Sequence, residues 1–222
     1  MPTVPDDTSP TPSPAVAGVL ALVGGGPFQD NDELDRRLLA EVGAELVVVL
    51  PTADAFEAPA SMVAAAMSWA ERLETDVEAL MVLQRHDAED AGAADVVRNA
   101  RAVYLVGDSS QHLRSALKDT PVYAAVESVL AAGGLVAAVG PCASALCDPM
   151  LDQRGGAFTL GLGLVPGLAV IPGADGESEE RRQRTLSLAT TPLVELPTGS
   201  AVVRRGGAWE LVGEPVVHGE LP

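Results

Sequence analysis

Short apolar runs alternate with amphipathic segments along most of this chain of 222 residues. Apolar runs of this length, bounded by Gly, Pro or polar residues, are typical of buried strands, and apolar residues at every third or fourth position indicate helices. The alternation predicts an α/β protein whose mostly parallel sheet is covered by helices on both faces. The predicted strands are Val16–Val23, Glu45–Leu50, Val77–Leu83, Ala102–Val106 and Leu135–Val139, and the predicted helices are Asp32–Val42, Ala58–Leu73, Asp87–Asn99, His112–Leu117 and Pro121–Ala132.

The pattern changes after residue 139, where strands and turns predominate and one helix is predicted at Arg181–Leu188. The later strands are predicted at Leu168–Ile171, Leu193–Leu196, Ala201–Arg204, Trp209–Val212 and Val216–Val217. Residues 1–14 contain five prolines together with Ser, Thr and Asp, a composition typical of an extended, disordered segment. We therefore divide the chain into a disordered tail at residues 1–14, one α/β domain at 15–217 and a C-terminal tail at 218–222.

Glycine-containing segments follow three of the predicted strands, at Gly24–Gly26, Gly107–Ser110 and Gly140–Ser144. Ligands of parallel sheets bind beyond the carboxyl ends of the strands, so these segments are expected to converge on one crevice. The third segment has the layout of a nucleophile elbow, in which a sharp turn between a strand and a helix raises one side chain above the sheet. The pattern Gly-x-Cys-x-Ser makes Cys142 the candidate nucleophile.

Charge and cysteine content limit the classes of partner and cofactor. The net charge of −17 excludes nucleic acid and anionic membrane surfaces as partners, because both require basic residues. No apolar run approaches the roughly 20 residues of a membrane helix, and no export signal is recognised, so we expect a cytoplasmic protein. Cys142 and Cys147 are too close for a fold-stabilising disulfide and too few for a zinc site. Gly24–Gly26 lacks dinucleotide-binding spacing, and no metal or cofactor is expected.

Six motifs, taken in order, resemble the dipeptidase E and cyanophycinase family of serine peptidases, within the class I glutamine amidotransferase-like folds. They are LVGGG (Leu22–Gly26), VVLPTAD (Val48–Asp54), ARAVYLVGDSSQHLRSAL (Ala100–Leu117), GPCASALCDPM (Gly140–Met150), GLGLVPGLAVIPG (Gly161–Gly173) and GSAVVRRGGAWELVG (Gly199–Gly213). The resemblance covers residues 16–213. It implies a three-layer, flavodoxin-like α/β sandwich, a small peptide or amide-containing ligand, and hydrolysis through an acyl-enzyme. Members of the family are often dimers, which leaves a homodimer open.

The resemblance also assigns roles to residues of the crevice. Cys142 occupies the position of the nucleophilic serine. The Ala143 N–H and the backbone of Gly107 and Asp108 would hold the oxyanion, although a side chain at Asp108 adds bulk and negative charge there. Gly25 and Gly26 are expected to line the crevice.

The expected general base is missing from its usual position. The family histidine aligns with Ala174, and its later acidic position falls near Leu196 and Pro197. His112, after the Gly107–Ser110 segment, is the candidate base, and a water network is the alternative. His86 is expected in a solvated loop, and His218 beyond the last strand.

Two functions follow from these observations. One is a divergent hydrolase of this family in which Cys142 is the nucleophile and peptidase activity is impaired or lost. The other is a non-catalytic module that binds a small molecule or a partner in the same crevice.

Overall fold

The computed structural model describes residues 18–222, so the predicted tail at residues 1–14 lies outside the described part of the chain. The strands are β1 (Val19–Val23), β2 (Leu46–Leu50), β3 (Asp76–Ala79), β4 (Ala102–Leu105), β5 (Leu135–Val139), β6 (Cys147–Asp148), β7 (Met150–Asp152), β8 (Ala157–Thr159), β9 (Val165–Pro166), β10 (Ala169–Pro172), β11 (Leu193–Leu196), β12 (Ala201–Arg205), β13 (Ala208–Val212) and β14 (Val216–His218). The helices are α1 (Asp32–Val42), α2 (Pro59–Leu73), α3 (Arg85–Ala88), α4 (Ala91–Asn99), α5 (Ser110–Leu117), α6 (Pro121–Ala131), α7 (Pro141–Leu146) and α8 (Glu179–Leu188).

A seven-stranded sheet with the order β13-β12-β1-β5-β4-β2-β3 forms the centre of the molecule. The five strands β1 to β5 are parallel, and β12 and β13 extend the sheet in antiparallel fashion beside β1. Side chains of β1 alternate between two separate cores, with Leu20 and Leu22 in one and Val19, Ala21 and Val23 in the other. Both faces of the sheet are therefore covered, and the predicted α/β fold with a mostly parallel sheet is confirmed.

A smaller sheet of order β10-β11-β14 packs beside the main one. His218, predicted to lie beyond the last strand, is part of β14 and pairs with Leu193 of β11. The carbonyl of Pro222 accepts a hydrogen bond of 2.7 Å from Trp209 Nε1. The strand β14 therefore includes the first residue of the predicted C-terminal tail, and the last residue of that tail contacts the domain.

Two predicted elements have different bounds in the structure. The predicted helix Asp87–Asn99 is two helices, because two carboxylates each cap a separate helix. Asp87 accepts hydrogen bonds from the N–H groups of Leu83 and Gln84, and Asp90 accepts one from the N–H of Ala93. The predicted strand Val77–Leu83 ends at Ala79, after which the chain turns.

One carboxyl group lies in the core beneath α1. Asp35 is 5% exposed, and its two oxygens accept hydrogen bonds from Trp69 Nε1 at 2.9 Å and from the Tyr104 hydroxyl at 2.8 Å. The Phe28 ring packs against both aromatic rings. Burial raises the pKa of Asp35 to about 6, although the two hydrogen bonds favour the charged form.

None of the helices within residues 18–222 combines the length and the apolar composition needed to cross a bilayer.

Candidate functional site

The three glycine-containing strand ends lie together at the carboxyl edge of the sheet. The Gly140 N–H donates to the Val23 carbonyl at 2.9 Å, which joins the ends of β5 and β1. Cys142 Sγ lies 3.5 Å from the Gly107 carbonyl oxygen, which joins the start of α7 to the loop after β4. Gly25 and Gly26 are partly exposed, whereas Gly107 is buried. The three strand ends therefore meet at one edge of the sheet, and we refer to the region between them as the crevice.

Gly140 occupies the turn between β5 and α7. Its backbone angles are φ 57° and ψ −132°, α7 begins at Pro141, and Cys142 is the second residue of that helix. In a nucleophile elbow the nucleophile stands on the strained turn itself, which lifts its side chain away from the backbone. The turn position in this chain is therefore held by a residue without a side chain. A Cβ atom there would lie 2.9 Å from the Gly25 carbonyl oxygen.

Backbone N–H groups at the start of α7 are the natural donors to an oxyanion beside the elbow. The residue after the turn is Pro141, which has no N–H. The N–H of Ala143, the donor expected from the sequence, already donates to the Gly140 carbonyl at 2.9 Å. Neither Pro141 nor Ala143 therefore has a backbone N–H that is free to bind an oxyanion.

The Cys142 thiol is enclosed. The residue is 0% exposed, and its Sγ–H donates to the Gly107 carbonyl. Burial, followed by the negative charges of Asp108 and Asp54, raises the pKa of the thiol far above its ordinary value. The thiolate is the nucleophilic form of cysteine, so this environment opposes the reactive state. Cys147 is also buried, and its Sγ–H donates to the Ala143 carbonyl.

The ring of His112 is held on the β3 side of the crevice. Its Nε2 donates to the Leu83 carbonyl at 2.7 Å, and its ring lies edge-on to Phe56 with centroids 4.6 Å apart. No hydrogen bond within residues 18–222 joins His112 to Cys142. The role of His112 as a base therefore stays a prediction.

The other two histidines lie elsewhere. His86 has a side chain that is 76% exposed and contacts Asp87, which agrees with its expected solvated position. His218 Nε2 donates to Glu195 at 2.6 Å, and Arg182 of α8 contacts the same buried carboxylate. This cluster joins α8 to the smaller sheet.

Two carboxylates lie after β2 and β4: Asp54, which was missed as a crevice residue from the sequence, and Asp108, which was expected there. Asp54 is 4% exposed and accepts a hydrogen bond from the Ala58 N–H, whereas Asp108 is exposed. Burial raises the pKa of Asp54, and the charges of Asp108 and Glu57 add to the effect. The available signal was the position of Asp54 in the short turn Thr52–Asp54, which follows the apolar strand β2. This side of the crevice is negatively charged.

The opposite side is formed after β10 and β11. Ala174, which aligns with the family histidine, is buried in a 3₁₀ turn. Next to it, Asp175 accepts hydrogen bonds from the Thr198 N–H and hydroxyl, and the N–H bond is the main cause that lowers the pKa of Asp175. A Cβ at Gly25 would lie 3.1 Å from the Thr198 side chain, so this wall borders the crevice. Within residues 18–222, no cluster of His, Cys, Asp and Glu side chains has the size and geometry to hold a metal ion.

Comparisons with known proteins agree with this architecture. No family model and no curated protein matches the sequence. Among solved structures, a peptidase from an acI-B1 Actinobacterium superposes with a TM-score of 0.81 and 25% identity, covering 92% of this chain and 91% of that chain. A putative peptidase E protein from Listeria monocytogenes EGD-e superposes with a TM-score of 0.65 and 19% identity over 90% and 98% of the two chains, a likeness in fold alone. The structural neighbours of this chain are therefore peptidases with the same α/β fold.

Proposed function

We propose that this protein has the fold of a peptidase, has lost acyl-enzyme chemistry, and uses its crevice to bind a small peptide or amide-containing ligand. The observation that carries the proposal is Gly140 at the turn of the elbow, followed by Pro141. The first residue supplies no nucleophile, and the second supplies no N–H for an oxyanion.

Acyl transfer needs a nucleophile, a base and oxyanion donors in one place. The buried Cys142 thiol, with its raised pKa, is a poor substitute for a nucleophile on the turn. Ala174 stands where the resemblance implies the base. In enzymes whose nucleophile and base act together, loss of one of these catalytic groups lowers turnover by factors of roughly 10⁴ to 10⁶. These features together favour binding over hydrolysis.

The backbone of the crevice supports recognition of an amide. Gly25 and Gly26 are partly exposed and carry no side chains, so a ligand can approach their peptide groups closely. The crevice lies at the carboxyl edge of the sheet, where ligands of this fold class bind. A short peptide can exchange main-chain hydrogen bonds with such a surface.

The first test measures thiol reactivity. In the native protein at neutral pH, we expect iodoacetamide to alkylate Cys142 at least about a hundredfold more slowly than in the denatured protein, because burial removes both access and thiolate. Mass spectrometry of peptide digests measures the two rates, and the buried Cys147 in the same molecule is the matched reference. Rapid alkylation of native Cys142, combined with peptide hydrolysis that Cys142→Ala abolishes, would overturn the proposal.

The second test separates binding from cleavage in one sample. We expect a dipeptide mixture titrated into ¹⁵N-labelled protein to shift the amide resonances of Gly25, Gly26 and Gly107. The resonances of Gly43 and Gly133, which lie at the ends of α1 and α6 rather than at the crevice, serve as the reference. Mass spectrometry of the same samples should find the dipeptides intact. Unchanged crevice resonances with intact dipeptides would exclude these ligands, and cleavage would favour the hydrolase.

A further inference from the structure

The chain has 31 acidic and 14 basic residues. Within residues 18–222, four arginine side chains form no ion pair and donate no hydrogen bond, whereas most other basic side chains contact a carboxylate. Arg204 packs over the Trp209 ring, and the other three are Arg114, Arg154 and Arg184. All three border the same surface, beside the crevice and between α5 and α8.

The surface consists of three adjoining cavities. One of about 320 Å³ is lined by Arg114, Gln111 and Asp152 among others, and a small one of about 50 Å³ shares Gln111 and Asp152 with it. Arg154 lines the small cavity and also a third cavity of about 340 Å³, which extends to Arg184. Neighbouring cavities share lining residues, so the three adjoin one another along one surface. We call it the arginine groove, lined by Arg114, Arg154, Arg181 and Arg184.

An unsatisfied donor lies at one end of the arginine groove. Arg114 Nε is buried and has no hydrogen-bond partner among the described residues. Buried N–H groups in folded proteins nearly always have an acceptor. Because Arg114 Nε is closed to solvent, an acceptor in the cavity can reach only the other N–H groups of the same guanidinium, and these have no partner among the described residues.

The surroundings favour phosphate over a single carboxylate. The carboxylates of Asp152 and Glu180 in the groove repel an anion, so a bound anion must make enough guanidinium contacts to outweigh that repulsion. A phosphate group does so, and guanidinium forks bind two of its oxygens at once. Ser109 and Ser178, which border the groove, cap the N-termini of α5 and α8, where the helix dipoles also favour anions.

We infer that the arginine groove binds a small molecule that carries two or more phosphate groups. Two groups are indicated because the arginines occupy two cavities on either side of Arg154. The negative charge of the rest of the molecule restricts the ligand to a small one, since a long polyanion would be repelled beyond the groove. The inference does not depend on the function proposed for the crevice.

Calorimetric titration of the full chain with tripolyphosphate at low salt tests the inference. We expect saturable binding that Arg154→Gln weakens at least tenfold, because Arg154 borders two of the three cavities. Arg98→Gln is the matched control, with the same change in charge on the exposed face of α4, and is expected to change the affinity less than about twofold. Added salt should weaken the binding, since the contacts are ionic.

Three outcomes would overturn the inference. The first is the absence of saturable tripolyphosphate binding at low salt, and the second is equal weakening by Arg154→Gln and Arg98→Gln. The third is citrate binding as tightly as tripolyphosphate, which would show that carboxylates satisfy the groove. Circular dichroism of both variants checks that each retains the fold.

Discussion

Replacing Gly107 by alanine is expected to destabilise the protein by about 4 kcal/mol or more, because two unfavourable effects coincide at this residue. Its φ of +119° is a conformation that residues with a Cβ rarely adopt. An added Cβ would also lie 2.4 Å from the Asp54 backbone nitrogen and 2.6 Å from the Ala53 carbonyl carbon. Hydrogen bonds from Ser109 to Ala53 and from Val106 to Leu50 hold the two loops together, so they cannot separate without cost.

Urea unfolding followed by circular dichroism measures this change in the free energy of unfolding. Gly43→Ala is the matched control, because Gly43 also has a positive φ, of 63°, but no atom lies within 4 Å of its added Cβ. Its expected cost is about 1 kcal/mol. Equal costs for the two variants would show that the contact with the β2 loop is unimportant. A large difference would show that Gly107 sets the spacing of the loops on this side of the crevice.

Elements with strong local signals were predicted to the residue. The helix Asp32–Val42 and the strand Leu135–Val139 have the bounds expected from the sequence. The helix ends at Gly43, which adopts the left-handed conformation typical of a helix C-terminus. The strand lies between glycines and is apolar throughout. Local sequence therefore determines these two elements.

The four short strands β6 to β9 could not be predicted in the same way. Each has two or three residues, too few for a periodic pattern. Their pairing also joins distant residues, as when Cys147 pairs with Val165. The backbone at Gly161 passes so close to β6 that a Cβ at Gly161 would lie 1.7 Å from the Cys147 carbonyl oxygen. These strands exist because tertiary contacts fix them.

The sequence predicted which strand ends meet, but not which residue occupies the turn of the elbow. The glycine-containing segments after β1, β4 and β5 do meet, since the strand order brings them together. The Gly-x-Cys pattern directed attention to Cys142, whereas the turn lies at Gly140. Pro141 was a usable signal, because proline is favoured at the first position of a helix and places the turn one residue earlier. Burial of the thiol depends on packing against the Gly107 loop, which no local pattern encodes.

The buried carboxyl group of Asp35 is expected to make stability depend on pH. Its folded pKa, about 6, lies above the unfolded value near 3.8. The folded state therefore binds a proton that the unfolded state releases, and this stabilisation is fully present below pH 3.8 and is lost as the pH rises through 6. The shift corresponds to about 3 kcal/mol of unfolding free energy. Carboxylates with lowered pKa, such as Asp32 and Asp175, act in the opposite direction as the pH falls.

Asp35→Asn isolates this contribution, because asparagine resembles the protonated carboxyl group and does not ionise. The unfolding free energy of Asp35→Asn minus that of the native sequence is expected to rise by about 2.5 kcal/mol between pH 4 and pH 8. Tyr104→Phe is a second test, because it removes a hydrogen bond that favours the carboxylate form of Asp35. The pKa of Asp35 should then rise further, and the loss of stability should extend to higher pH. Urea unfolding at each pH measures both variants. A difference between Asp35→Asn and the native sequence that does not vary with pH would show that Asp35 remains charged in the core, stabilised fully by Trp69 and Tyr104.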